Sequence, residues 1–99
     1  MHCIVWEFEV TPAHTAAFLA ACGAEGAGCA LFRVDPAWLG TSLLRDVARP
    51  QVFVTVDRWR AAAAYAAVRA RTAATYARLD AHGEGWTRRE TLLCAGDAA

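Results

Sequence analysis

Trp38-Leu39-Gly40-Thr41-Ser42-Leu43-Leu44-Arg45-Asp46-Val47, the turn Ala48-Arg49-Pro50-Gln51 and the run Val52-Phe53-Val54-Thr55-Val56-Asp57-Arg58-Trp59 read as a β-hairpin in mid-chain. The chain is nearly symmetric about it. Towards the C-terminus, Ala61 to about Ala81 is Ala-rich and helix-prone, with Tyr65, Val68, Thr72, Tyr76 and Leu79 three or four apart on one face. His82-Gly83 ends that helix, and Trp86 to Cys94 reads as a last strand. Towards the N-terminus lie the apolar turn Cys29-Ala30-Leu31-Phe32 and a flexible connection marked by Gly23, Gly26 and Gly28. Before these, Thr11 as N-cap and Pro12 at the first helical position open a helix to about Cys22, with His14, Ala17, Phe18, Ala21 and Cys22 on one face. Residues 2–10 alternate Ile4, Trp6, Phe8 and Val10 with Cys3, Val5, Glu7 and Glu9, the period of a strand. Strand, helix, hairpin, helix, strand is the βαββαβ order of an α+β, ferredoxin-like fold. Its right-handed crossovers place both helices on one face of a four-stranded antiparallel sheet.

The other sheet face then lacks a cover. A face made for water shows polar residues along one side of each strand. The hairpin's second strand instead sets Phe53, Thr55, Asp57 and Trp59 against Val52, Val54, Val56 and Arg58, apolar on both sides. Ninety-nine residues, 57% of them hydrophobic, also carry more apolar surface than a domain of this size hides, since such a chain buries roughly 60–65% of what it exposes unfolded. The expected cover is a second copy of the same sheet, giving a homodimer through the sheet face. The expected domain is residues 1–96, with 97–99 a frayed tail.

Ten basic and ten acidic residues cancel, so no positive field draws in nucleic acid or an anionic membrane. The basic residues are all Arg, and Lys and Asn are absent, a bias typical of a high-GC bacterial genome. No basic leader opens the chain, and no apolar run is expected to reach the ~20 residues of a membrane helix, so the expected compartment is the cytoplasm. Cys3, Cys22, Cys29 and Cys94 show no paired zinc spacing and read as small core residues. Cys3 and Cys94 would come close on the neighbouring first and last strands. His14 and Cys22, eight residues apart on a helix, are separated by about 12 Å, too far to share a metal. No metal and no cofactor is expected.

Six segments together resemble the antibiotic biosynthesis monooxygenase domain family: Trp6-Glu7-Phe8-Glu9-Val10, Leu31-Phe32-Arg33, Leu39 to Asp46, Thr55-Val56-Asp57-Arg58-Trp59, Tyr76-Ala77-Arg78-Leu79-Asp80 and Thr87 to Leu93. The resemblance implies a dimeric α/β barrel, in which two ferredoxin-like protomers stack their sheets. It also implies a superfamily in which some members oxidise aromatic polyketides with oxygen and neither metal nor flavin, while others degrade haem. The haem-degrading branch uses an Asn on the first strand and a Trp and a His on the second helix. This chain has no Asn and carries Val68 and Arg78 near the helical places, so haem degradation is disfavoured. Cys29, Ala61, Thr72 and Cys94 also depart from the residues common in similar proteins.

The chemistry this implies is abstraction of a proton from an acidic phenol or enol inside a dry, aromatic pocket. Asp57 and Glu7, on central strands, are the candidate bases, because a carboxylate there is either ion-paired, with Arg58, Arg33 or Arg45, or raised in pKa. Trp59, beside Asp57, is the third candidate catalytic residue. Trp6 and Tyr65 are expected to shape the substrate site, and Arg33 or Tyr76 to steady the anion. The same four-Trp complement also serves a core and a dimer interface, and both Tyr residues serve core packing. Arg69, Arg71 and Arg78 read as the solvated face of the second helical region. The expected function is a cofactor-independent monooxygenase acting on a small aromatic or polyketide-like molecule. The competing expectation is a non-enzymatic dimeric module, a ligand carrier or stress-related protein, with a packed interior.

Overall fold

The computed structural model describes residues 1–23 and 26–99. Four strands, β1 (His2–Val10), β2 (Trp38–Arg45), β3 (Val52–Trp59) and β4 (Thr87–Asp97), form one antiparallel sheet in the order β2-β3-β1-β4. Four helices cover one face: α1 (Thr15–Cys22), α2 (Ala27–Arg33), α3 (Ala62–Arg71) and α4 (Ala73–Gly83). This is the ferredoxin-like arrangement expected from the order of elements. Register brings Ile4 opposite Asp57, Trp6 opposite Thr55 and Phe8 opposite Phe53, and Thr41 opposite Asp57. The alternation of β1 therefore continues across the sheet as one helix-facing surface. Two buried clusters anchor the helices there, one of Ile4, Phe32, Trp59 and Val68 and one of Val10, Phe18 and Phe53.

Three register shifts adjust the edge strands, one of them at Glu9 and Val10, which face Arg89 and Thr87 on β4. On β2, Trp38 pairs with Trp59 but Gly40 with Arg58, leaving Leu39 unmatched, and Gly40 takes φ 129°, a conformation that favours glycine. On β4, Val5 faces Cys94 and Trp6 faces Leu92, so Leu93 is the extra residue. Cys3 faces Gly96, which puts Cys94 diagonally across from it, and Cys3 and Cys94 are not joined by a disulfide.

Several local expectations are corrected. Residues 27–33, read as connection and apolar turn, form α2. Cys29 and Phe32, three apart, both enter the core, and this tertiary gain outweighs the weak helix propensity of Gly28. Thr11 does not cap α1; its hydroxyl donates to the Trp86 carbonyl at 3.1 Å, joining the helix entry to the start of β4. Pro12–His14 is a 3₁₀ turn, and Trp86 lies in the 3₁₀ turn Glu84–Trp86 instead of in β4. The second helical region breaks at Thr72, where the hydroxyl donates to the Val68 carbonyl at 2.7 Å, a back-bond that bends helices. β4 runs on to Asp97, and Ala98 N–H donates to the Met1 carbonyl, where a frayed tail over 97–99 was expected.

Pro12–Arg33 is, by length and composition, apolar enough to cross a membrane, contrary to the sequence expectation. Among the described residues, however, α1 ends at Cys22 and α2 begins at Ala27, and Phe18, Cys29 and Phe32 are buried. Helices of eight and seven residues are each far short of the ~20 needed for a span.

Gly26, at the entry to α2, packs closely on the end of α1: a Cβ there would lie 2.3 Å from the Ala21 carbonyl oxygen. The clash is with backbone, which cannot swing away. Gly26→Ala is expected to destabilise the fold by about 1–3 kcal/mol, read as a lowered midpoint in urea. An unchanged midpoint would show that the two helices separate freely.

Candidate active site

Between the helices and the sheet lies a cavity of about 800 Å³, within the size range of small-molecule sites. Its floor is Trp6 and Phe8 from β1, Thr55 and Asp57 from β3, and Thr41 from β2. Alternation along each strand puts these residues on one face, and the register above brings them side by side. Helices close the walls with Phe18, Phe32, Tyr65 and Tyr76, while Trp86 and the first residues of β4 form an edge.

Among the described residues Asp57 is the carboxylate that the sheet floor contributes, while Asp80, Glu84 and Glu90 line the cavity from α4, the turn after it and β4. The Asp57 carboxylate accepts a hydrogen bond from the Thr41 hydroxyl, whose oxygen accepts from Trp38 Nε1 at 3.3 Å. Burial pushes its pKa above the ordinary carboxylate value; the Thr41 bond and the charge of Arg58 oppose that rise. No arginine forms an ion pair with it among the described residues. Arg58 reaches Ser42 at 3.0 Å, and Arg45 bonds the Pro50 carbonyl and lies over the Phe53 ring.

On the opposite wall, the guanidinium carbon of Arg69 lies 3.5 Å from the centre of the Tyr76 ring. Burial pushes the Tyr76 hydroxyl up to about 12, against the lowering effect of Arg69, so the phenol is neutral across the physiological range. Burial likewise raises the Cys22 thiol to about 11, with Cys29 adding to the rise. Both thiols line the cavity, and Cys22 is thus a protonated wall residue with little nucleophilic character. Among the described residues no three His, Cys, Asp or Glu side chains converge as metal ligands.

Of the residues singled out from sequence, Asp57, Trp6, Tyr65 and Tyr76 all line the cavity. The other three lie elsewhere. Glu7 alternates to the far face of the sheet, where it pairs with Arg49 at 3.1 Å. Trp59 is fully buried beneath the cavity, edge-on to Phe32 at 5.2 Å and to Tyr65 at 5.5 Å. Arg33 is exposed and donates to the Gly26 carbonyl at 3.4 Å, because the turn of α2 that sends Cys29 and Phe32 inward sends Arg33 out. Arg69, by contrast, was read as solvated and is turned inward. The signal was present: Tyr65, Arg69, Thr72 and Tyr76 follow the same three-and-four spacing as the apolar face. Arg71 and Arg78 are exposed as expected.

The sheet order and the one-sided helical layer define a ferredoxin-like α+β domain, opened by a cavity between its two layers. The family model for antibiotic biosynthesis monooxygenase matches residues 1–78, and the chain belongs to that family. A candidate antibiotic biosynthesis monooxygenase from Nitrosomonas europaea superposes with a TM-score of 0.75 at 18% identity, covering 99% of this chain and 98% of that one. A candidate member from Deinococcus radiodurans gives 0.77 at 13% identity over 100% and 93%. SnoaB, a cofactor-independent oxygenase from Streptomyces nogalater, gives 0.69 at 18% identity over 98% and 94%. At these identities the likeness establishes the fold. No curated protein sequence matches the chain.

Proposed function

We propose that this protein is a cofactor-independent monooxygenase that takes a small planar aromatic or polyketide-like molecule into the cavity between sheet and helices. The observation that carries the reading is Asp57, a part-buried carboxylate raised in pKa on the sheet floor of a cavity with aromatic walls. A base whose pKa lies nearer neutrality removes a proton from a weakly acidic carbon or phenol more effectively than an ordinary carboxylate. The resulting carbanion or phenolate is the electron donor to oxygen. For an anthrone, Asp57 takes one methylene proton, the carbanion combines with O₂, the peroxide anion takes that proton back, and the hydroperoxide loses water with its remaining C–H hydrogen to leave a new carbonyl. One oxygen atom stays in the product and the other leaves as water. The walls hold the ring in place and exclude solvent. Membership of the family and a fold shared with a cofactor-independent oxygenase support the reading.

The test is oxygen uptake with anthrone-like and quinol substrates, with ¹⁸O₂ to follow the atom into product. One labelled oxygen per product is expected, with no added metal or flavin. Tight binding without oxygen uptake by any substrate would assign the cavity to a non-enzymatic carrier instead.

We also propose that the active form is a homodimer joined through the outer sheet face. Val5, Val54 and Val56 form an apolar middle on that face, and Leu44 beside them is 54% exposed. Polar groups bound it, Glu7, Asp46 and Arg49 with Glu9 and Arg89 at one end and Arg58 with Ser42 at the other. Apolar centre and polar rim are the anatomy of an interface.

A further inference from the structure

We infer that Arg69 is the anion-binding residue of the cavity, and that the cavity therefore selects planar aromatic molecules bearing an anionic oxygen over their neutral counterparts. This rests on reading the cavity as a ligand site, but not on the ligand's oxidation. Three observations carry it.

The first is an unmet donor. Nη1 of Arg69 is buried and has no hydrogen-bond partner, and Arg69 forms no ion pair among the described residues. A buried guanidinium N–H left without an acceptor is destabilising, and native interiors rarely retain one. An acceptor that the chain does not itself supply resolves it, and a negatively charged oxygen does so best.

The second is orientation. The guanidinium is stacked 3.5 Å from the centre of the Tyr76 ring, and stacking pins its plane while leaving the N–H groups at its edge free to donate. Arg69 lines the cavity alongside Tyr65 and Tyr76, so a planar ligand finds ring contacts next to the charge.

The third is charge separation. Arg69 projects from α3 while Asp57 belongs to the sheet, and both line the same cavity. A molecule with an anionic oxygen at one place and a removable proton at another is oriented by both: the oxygen to Arg69, the proton to Asp57. Reversal would set the anion against a carboxylate.

Trp6 and Trp86 face the cavity, so quenching of tryptophan fluorescence reports binding directly. The probes are 2-naphthoate and its neutral isostere 2-naphthamide. The wild-type protein is expected to bind naphthoate about 10- to 100-fold more tightly, the scale of a charge-assisted hydrogen bond. In Arg69→Gln that ratio is expected to collapse to about one, and in Arg69→Lys to be partly restored, with thermal melts confirming that each variant is folded. Equal affinities in the wild type, failure to bind either probe, or a preference that survives in Arg69→Gln would each overturn the inference. The two-probe comparison in the wild type stands even if a variant does not fold. A charge preference without oxygen uptake by any substrate would sink the oxygenase reading and leave this one in place.

Discussion

Asp57→Asn is expected to lower oxygen uptake by about 10²- to 10⁴-fold, the contribution typical of a positioned general base. Asn preserves the shape and can still accept from Thr41, so the loss isolates the proton-accepting role. In the wild type, activity is expected to rise with pH through the raised pKa of Asp57, because only the ionised carboxylate accepts a proton. Stability runs the other way. A carboxyl whose folded pKa exceeds its unfolded value binds more protons folded than unfolded between the two. The folded state therefore loses stability as pH rises through that window. At neutral pH the buried charge opposes folding, so Asp57→Asn is expected to raise the melting temperature while it removes activity. Unchanged oxygen uptake would take Asp57 out of the mechanism. A lowered melting temperature at pH 7 would show that the carboxylate is stabilised by its surroundings.

The second large effect concerns the outer sheet face. Val56→Asp is expected to convert the dimer to a monomer, because it places a carboxylate in the apolar middle of the proposed interface. Val56 is opposite Val5 on β1 and Ser42 on β2, neither of them charged, and Arg58, two residues along the same face, already donates to Ser42. Leaving a charge buried and unpaired costs several kcal/mol, equivalent to at least a hundredfold weaker association. Light scattering should give twice the chain mass of 10.6 kDa for the wild type and the single mass for the variant. Leu44→Asp, at an exposed position, provides the same test with less strain on the fold. A wild-type protein that is monomeric at micromolar concentration would overturn the proposal.

The course of the chain was legible because periodicity is a local property. Alternation in residues 2–10 and the apolar run 52–59 specified β1 and β3, and the register between them set Trp6 and Asp57 on one face. The alternation in β1 already separates Glu7 from Trp6, so placing those two in one site conflicted with the pattern. Boundaries set by long-range contacts were less legible. Thr11 has an N-cap's chemistry, yet the Trp86 carbonyl, 75 residues away, takes its hydroxyl. Thr72 fits a continuous helical face, yet its back-bond to Val68 divides the helix.

From sequence alone came the ferredoxin-like order, the excess of apolar surface and a carboxylate on a central strand, each a consequence of residue type and spacing. Tertiary structure alone decided which face each charge occupies and how much water it keeps. It buried Trp59 beneath the cavity, turned Arg33 outward on α2, and brought Arg69 over Tyr76. Those outcomes depend on how helices dock on a sheet. Docking is governed by the shape and volume of side chains far apart in the chain, which no local pattern encodes.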